Sequence, residues 1–208
     1  MIDIKHNLTE AFRLLKEVVD ETGVNLIDNY SYREFTATEM LRDLLPSIKK
    51  TIGRTGDDAN APEQNYYHIE QKSGTAKNKT MTMSSFPDML FDKQSDPVRR
   101  EYIYKYDGFS LSFFEYYKPY PTAVVFVPKE QVEKLHPVFR QKQAVKIADF
   151  ERRLNEGKNI GHDPIIISLT EMRQAVGDEN LICWLHGERI DSVDFFGKLD
   201  RKEVKINQ

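Results

Sequence analysis

The chain carries one cysteine, Cys183, and one tryptophan, Trp184, among its 208 residues. A lone cysteine excludes an intrachain disulfide and a thiolate-rich metal centre. No apolar run approaches the roughly 20 residues that a membrane-spanning helix needs. Residues 1–20 lack the apolar core of a secretion signal, so a cytoplasmic protein is expected. An excess of basic charge is also missing: 30 Lys and Arg stand against 33 Asp and Glu, for a net charge of −3. That balance excludes a uniformly cationic surface and leaves nucleic-acid binding to local patches.

The composition, 39% hydrophobic and 30% charged, is that of a soluble globular protein with a core of ordinary size. Local charge departs from the average. From Gln71 to Lys105 there are seven Lys or Arg and four Asp or Glu, and Lys72, Lys77 and Lys79 stand clear of acids. Lys49, Lys50 and Arg54 lie just upstream.

Leu8, Ala11, Phe12, Leu15, Val18 and Val19 recur at helical spacing, with Asn7 and Glu10 as a capping box and Gly23 as the stop. A polar loop is expected over Asp28 to Arg33. Thr36 and Glu39 suggest a second capping box, opening a helix that Pro46 ends. The turn-rich stretch Gly53 to Asn65 precedes a strand, Tyr66 to Lys72, followed by polar, irregular chain over 73–95. Further strands are expected over Tyr102–Tyr106, Phe109–Tyr117 and Ala123–Val127, with Asp107-Gly108 as a hairpin turn. Helices over 129–135 and 143–155 precede strands at Ile165–Leu169 and Leu181–Leu185, the latter turning at His186-Gly187. This order predicts an α+β fold, a central mixed sheet flanked by helices.

The chemistry is concentrated at Asp58, followed after eleven residues by Glu70-Gln71-Lys72. Two carboxylates can hold Mg²⁺, a hard cation that takes oxygen ligands, and the ion polarises a phosphoryl group and acidifies water. A lysine beside them can orient the attacking water. Strand alternation places Tyr66, His68, Glu70 and Lys72 on one face. Asp57 is the alternative to Asp58. His68 suits a structural role beside the sheet, and His136, His162 and His186 are too dispersed for a zinc site.

GRTGDDA (Gly53 to Ala59) and YYHIEQKS (Tyr66 to Ser73) resemble the catalytic segments of PvuII-like type II restriction endonucleases, in the PD-(D/E)XK nuclease superfamily. The resemblance runs over about residues 10–190, through TGVNLIDN, DPVRREYIYKY, VPKEQVEKLHPVFRQK and WLHGERI. It implies a PD-(D/E)XK core in residues 1–193, with 1–50 helical for dimerisation and DNA flanking, 51–193 for catalysis and recognition, and 194–208 a tail. It selects Asp58 over Asp57 and implies Asp58, Glu70 and the Gln71 carbonyl as Mg²⁺ ligands, with Lys72 completing the catalytic set. Tyr104 and Tyr106 are implied near the water and metal, with packing in the core or at an interface as the alternative for each. DNA contacts are implied at Asn29, Tyr30, Ser31, Arg33, Lys77, Asn78, Lys79, Thr80 and Thr82. The implied protein is a prokaryotic homodimer cutting double-stranded DNA. Thr55 replaces an acidic residue of the family, the aspartate-to-glutamate spacing is two residues longer, and TAKNKTMTMSSFPDM stands where the family reads bases. Target sequence therefore does not transfer. Two rival readings are a structure-specific repair or recombination nuclease on the same scaffold and an inert DNA-binding module.

Overall fold

Runs of small and β-branched residues bounded by turns build the centre of the protein. A computed structural model describes residues 4–22, 30–51, 58–75, 82–86, 106–114, 121–158, 165–201 and 203. The strands are β1 (Lys49–Lys50), β2 (Ala59–Ala61), β3 (Tyr66–Thr75), β4 (Thr82–Phe86), β5 (Gly108–Phe114), β6 (Ala123–Val127), β7 (Ile165–Ser168), β8 (Ile182–Leu185) and β9 (Glu188–Ile190). The helices are α1 (Ile4–Thr22), α2 (Tyr30–Met40), α3 (Lys129–Val132), α4 (His136–Asn155), α5 (Leu169–Val176) and α6 (Ser192–Asp200). Seven strands form one sheet in the order β1-β2-β3-β5-β6-β8-β9, and β4 pairs with β7 apart from it. Among the described residues only the β3–β5 pairing is parallel; the other pairings of this sheet are antiparallel. The α+β class with a mixed sheet flanked by helices is thus as expected.

β5 and β6 lie at the middle of the sheet, and every residue in them is buried. Alternation divides their side chains between two cores. Phe109, Leu111, Phe113, Val125 and Val127 face Val132, Leu135 and Phe139 from the α3–α4 segment, Met172 from α5, and Phe195 and Phe196 from α6. Val124 and Phe126 face the other way, with Tyr66, Ile69 and Trp184, beneath Leu41, Leu45 and Ile48. Trp184 Nε1 donates to Asp43 Oδ1 at 3.0 Å, tying the turn after α2 to β8. Cys183 is buried in the larger core, and burial pushes its thiol up, so it is a packing residue.

Gly108 opens β5 where the second core is tightest. A Cβ there would stand 3.0 Å from Tyr66, 3.1 Å from Phe126 and 3.2 Å from Ile69. Gly108→Ala is expected to cost about 1–3 kcal/mol in urea unfolding, because two rings and a branched chain must shift together.

Several local expectations are corrected. Asn7 sits inside α1, which is already helical at Ile4. The expected loop over Asp28 to Arg33 is helical from Tyr30, and Thr36 lies inside α2, not at its start, with its hydroxyl donating to the Arg33 carbonyl at 3.1 Å. Asp107-Gly108 is no hairpin turn, because β3 and β6 occupy both edges of β5. Residues 102–105 of the strand expected there lie outside the described residues. The stretch read as irregular contains the end of β3 and all of β4. Helix runs on through 136–142, since Pro137 occupies the first turn of α4, where its missing N–H costs nothing. The tail drawn from residue 194 begins inside α6. Its Phe195 and Phe196 are core residues, and Arg173 of α5 binds Asp200 at 2.8 Å while lying 4.4 Å over the Phe196 ring.

Candidate active site

β3 sets out the site. In its parallel ladder with β5, Glu70 stands opposite Phe109 and Lys72 opposite Leu111, so both project on the face of the larger core. Gln71 projects oppositely, toward α2. Its Nε2 donates to Thr38 Oγ1 at 3.0 Å, and the Thr38 hydroxyl donates to the Glu34 carbonyl at 2.8 Å. Glu70 is 4% exposed. A carboxylate buried to that degree needs a counter-charge, and the Lys72 ammonium supplies it by direct contact.

Asp58 lies one residue ahead of β2 and is bound from both sides. Its N–H donates to the Ile69 carbonyl at 3.1 Å, and its own carbonyl accepts from Thr51 N at 2.9 Å. Its Oδ2 accepts from the backbone N–H of Gln71 at 2.7 Å, the amide between Glu70 and Lys72. Burial, and then the charge of Glu70, push the Asp58 carboxyl up to about 7; Lys72 and the Gln71 N–H pull the other way. Asp58 and Glu70 are therefore close enough to oppose each other's ionisation. Among the described residues, Glu70 pairs with Lys72 and Glu34 with Lys50, while no salt bridge neutralises Asp58.

This donor set fits a hard divalent cation. Asp58 and Glu70 offer carboxylate oxygens, and their mutual repulsion is relieved by a cation between them. The Gln71 carbonyl leaves β3 on the same edge as its N–H, the edge that Asp58 occupies. Those three groups would hold Mg²⁺.

The eleven residues between Asp58 and Glu70 are taken up by β2, a 3₁₀ turn at Pro62–Gln64, Asn65 in a left-handed conformation (φ 62°), and an irregularity in the β2–β3 ladder. Ala61 pairs with Tyr66 but Ala59 pairs with Ile69, so β3 spends one extra residue. Asp107 holds that irregularity in place, accepting from Tyr67 N at 2.8 Å and His68 N at 3.0 Å. The extra residue moves Tyr66 onto the Ile69 side, correcting the expectation that it shares a face with Glu70.

The chain matches no protein-family model, no curated protein and no solved structure. The site is therefore read from its own geometry.

That geometry joins Asp58, Glu70, Gln71 and Lys72 and leaves other expected residues elsewhere. Tyr106 is 4% exposed in the larger core, and its neighbour Asp107 binds the His68 carbonyl at 3.0 Å. It packs in the larger core, the face on which Glu70 and Lys72 project. Arg33 is half-buried, with its guanidinium 5.8 Å over the Phe114 ring. Tyr30 and Ser31 begin α2. Thr82 begins β4, opposite Ser168. Asn29, Asp57, Lys77, Asn78, Lys79, Thr80 and Tyr104 lie outside the described residues.

Four residues of the site were not legible in the sequence. Thr38 fixes Gln71, Asp107 fixes the ladder irregularity, and Glu34 pairs with Lys50 through Oε2 and Nζ at 2.7 Å. Each acts on a partner 16 or more positions away, beyond the reach of any local pattern. Glu34 and Thr38, four residues apart, have the spacing of one helix face, a signal masked by the polar, turn-like composition of Asp28 to Arg33.

Proposed function

We propose that this protein is a Mg²⁺-dependent type II restriction endonuclease that hydrolyses phosphodiester bonds in a short palindromic duplex site as a homodimer, leaving 5′-phosphate and 3′-hydroxyl ends. One observation carries the reading: the Asp58 carboxylate is bonded to the amide between Glu70 and Lys72. That contact brings the Asp58 carboxylate to the stretch of β3 that carries Glu70, the Gln71 carbonyl and Lys72. A bound Mg²⁺ would polarise the phosphoryl group and acidify the attacking water. Asp58 and Glu70 would hold it, and Gln71 would present its carbonyl from β3, where Asp58 binds its N–H and Thr38 its side-chain amide. Lys72 supplies the counter-charge to Glu70, and its ammonium would orient the water and offset phosphate charge. Two-fold symmetry would give each strand one such site. The resemblance of GRTGDDA and YYHIEQKS to the PvuII-like enzymes supports the same assignment.

Incubating the purified chain with plasmid and bacteriophage DNA in Mg²⁺ should give discrete bands that religate. A smear or junction-dependent cutting would redirect the reading to a repair or recombination nuclease. Tight DNA binding with no cutting in Mg²⁺ or Mn²⁺ would overturn it in favour of an inert binding module.

A further inference from the structure

Asp107 stands just ahead of β5, yet its side chain acts on β3. Its two carboxylate oxygens accept from consecutive amides, Tyr67 N at 2.8 Å and His68 N at 3.0 Å, and its own N–H donates to the His68 carbonyl at 3.0 Å. Successive amides of a regular strand point to opposite edges. Here both turn to one carboxylate on the β5 edge, which is the mark of a bulge. Tyr67 and His68 are the two residues that face Asn60 alone, between the pairs Ala61–Tyr66 and Ala59–Ile69. Lys129 Nζ lies 3.9 Å from Asp107 and donates to the Asn65 carbonyl at 2.9 Å, so the turn into β3 is tied to the same place. The bulge decides what Asp58 meets. With it, Ala59 stands opposite Ile69, the Asp58 N–H reaches the Ile69 carbonyl, and Asp58 Oδ2 reaches the Gln71 amide. Smoothing it out from the Ala61–Tyr66 pair would set Ala59 against His68 and draw Asp58 back by one residue. A slip of that size turns side chains to the other face, and Asp58 would no longer meet the Gln71 amide.

We propose that Asp107 is a positioning residue for the cation site: its carboxylate pins the bulge at Tyr67–His68 and so sets the register in which Asp58 reaches Gln71, beside Glu70. It acts through the backbone of β3, where both of its oxygens are engaged. The role rests on the reading of Asp58 and Glu70 as the groups that hold the cation.

The test compares the full-length wild type with Asp107→Ala and Asp107→Asn, without DNA, by Mn²⁺ calorimetry at pH 8 and by amide hydrogen exchange in chelator. Asp107→Ala is expected to bind Mn²⁺ at least about tenfold more weakly, the scale of loss when groups that orient metal ligands are removed. Asparagine keeps the volume and one acceptor but turns an NH₂ toward the second amide. Asp107→Asn should therefore fall between, about threefold weaker or more, and it decides the matter if Asp107→Ala does not fold. The Gln71 amide should exchange at least about tenfold faster in Asp107→Ala, beyond any change shared by the amides of β6, since the loss is local to the hairpin. Phe195→Leu, a core change on α6, which packs against β8, should lower the melting temperature and leave Mn²⁺ affinity within about twofold. If the Asp107 variants melt lower but keep the wild-type Mn²⁺ affinity and Gln71 protection relative to β6, Asp107 serves stability alone and the inference is overturned. Weaker Mn²⁺ binding with unchanged Gln71 protection also overturns it, because Asp107 would then act on the ion directly. A wild type that binds no Mn²⁺ overturns the cation site and this inference together. A wild type that binds and cleaves, with both Asp107 variants equal to it in affinity, overturns this inference alone.

Discussion

Lys72→Met should cut DNA at least about a thousandfold more slowly than the wild type in Mg²⁺, while binding the same DNA in Ca²⁺ with nearly unchanged affinity. The loss is large because the side chain serves two ends. Its ammonium is the direct partner of a carboxylate that is 5% exposed, and in the proposed reaction it would also offset the charge of the phosphate. Removing a positioned donor of this kind costs catalysis by orders of magnitude. Methionine keeps the packing volume of the lysine stem, so the fold should hold, but Glu70 is left buried without its counter-charge. Without divalent ions the variant should therefore lose stability at neutral pH, by about 1–3 kcal/mol. Much of that should return on adding Ca²⁺. Single-turnover cleavage and urea unfolding with and without Ca²⁺ separate the two effects. Cleavage at the wild-type rate would remove Lys72 from the site.

Asp58→Asn should abolish cleavage and yet stabilise the protein in the absence of metal. The folded state raises the Asp58 carboxyl from 3.8 to about 7, so between those values the folded chain holds a proton that the unfolded chain has released. Folding stability must then fall as pH rises from about 4 to 7 and level off above. The fall attributable to Asp58 is roughly 2–4 kcal/mol at most. Asparagine keeps an acceptor for the Gln71 N–H and carries no charge to bury. Melting curves in chelator should show the variant gaining on the wild type from pH 5 to 8, with the difference vanishing near pH 4. Adding Mn²⁺ should reverse the order, since a ligand that binds only the folded wild type stabilises that form alone. A variant that melts with the wild type's pH dependence would remove Asp58 as the group under electrostatic load.

The sequence by itself determined the parts of this protein that depend on neighbours along the chain. Strand alternation placed Glu70 and Lys72 on one face, and the apolar runs of β5, β6 and β8 marked buried strands. The turn at His186-Gly187 is present, with both residues at positive φ. Local signals also misled where two structures share them. Thr36 and Glu39 have the spacing of a capping box but lie inside and at the end of α2. A true box, Ser168 with Glu171, opens α5, although the chain there reads as the end of an apolar strand. Polar residues favour helix caps and tolerate helix surfaces, so spacing without burial cannot separate the two.

Only the tertiary structure decided what converges on Asp58. Its carboxylate reaches the Gln71 amide, 13 positions along the chain, across a hairpin whose ladder irregularity Asp107 stabilises from 40 positions away. That irregularity also put Tyr66 on the opposite face from the one that strict alternation assigns. The Glu34–Lys50 pair emerges when α2 packs over β1 and β3. Such contacts join residues distant in sequence, and their geometry is fixed by the packing of the elements between them. For that reason the types of the reactive groups could be read from the sequence, and their electrostatic balance required the fold.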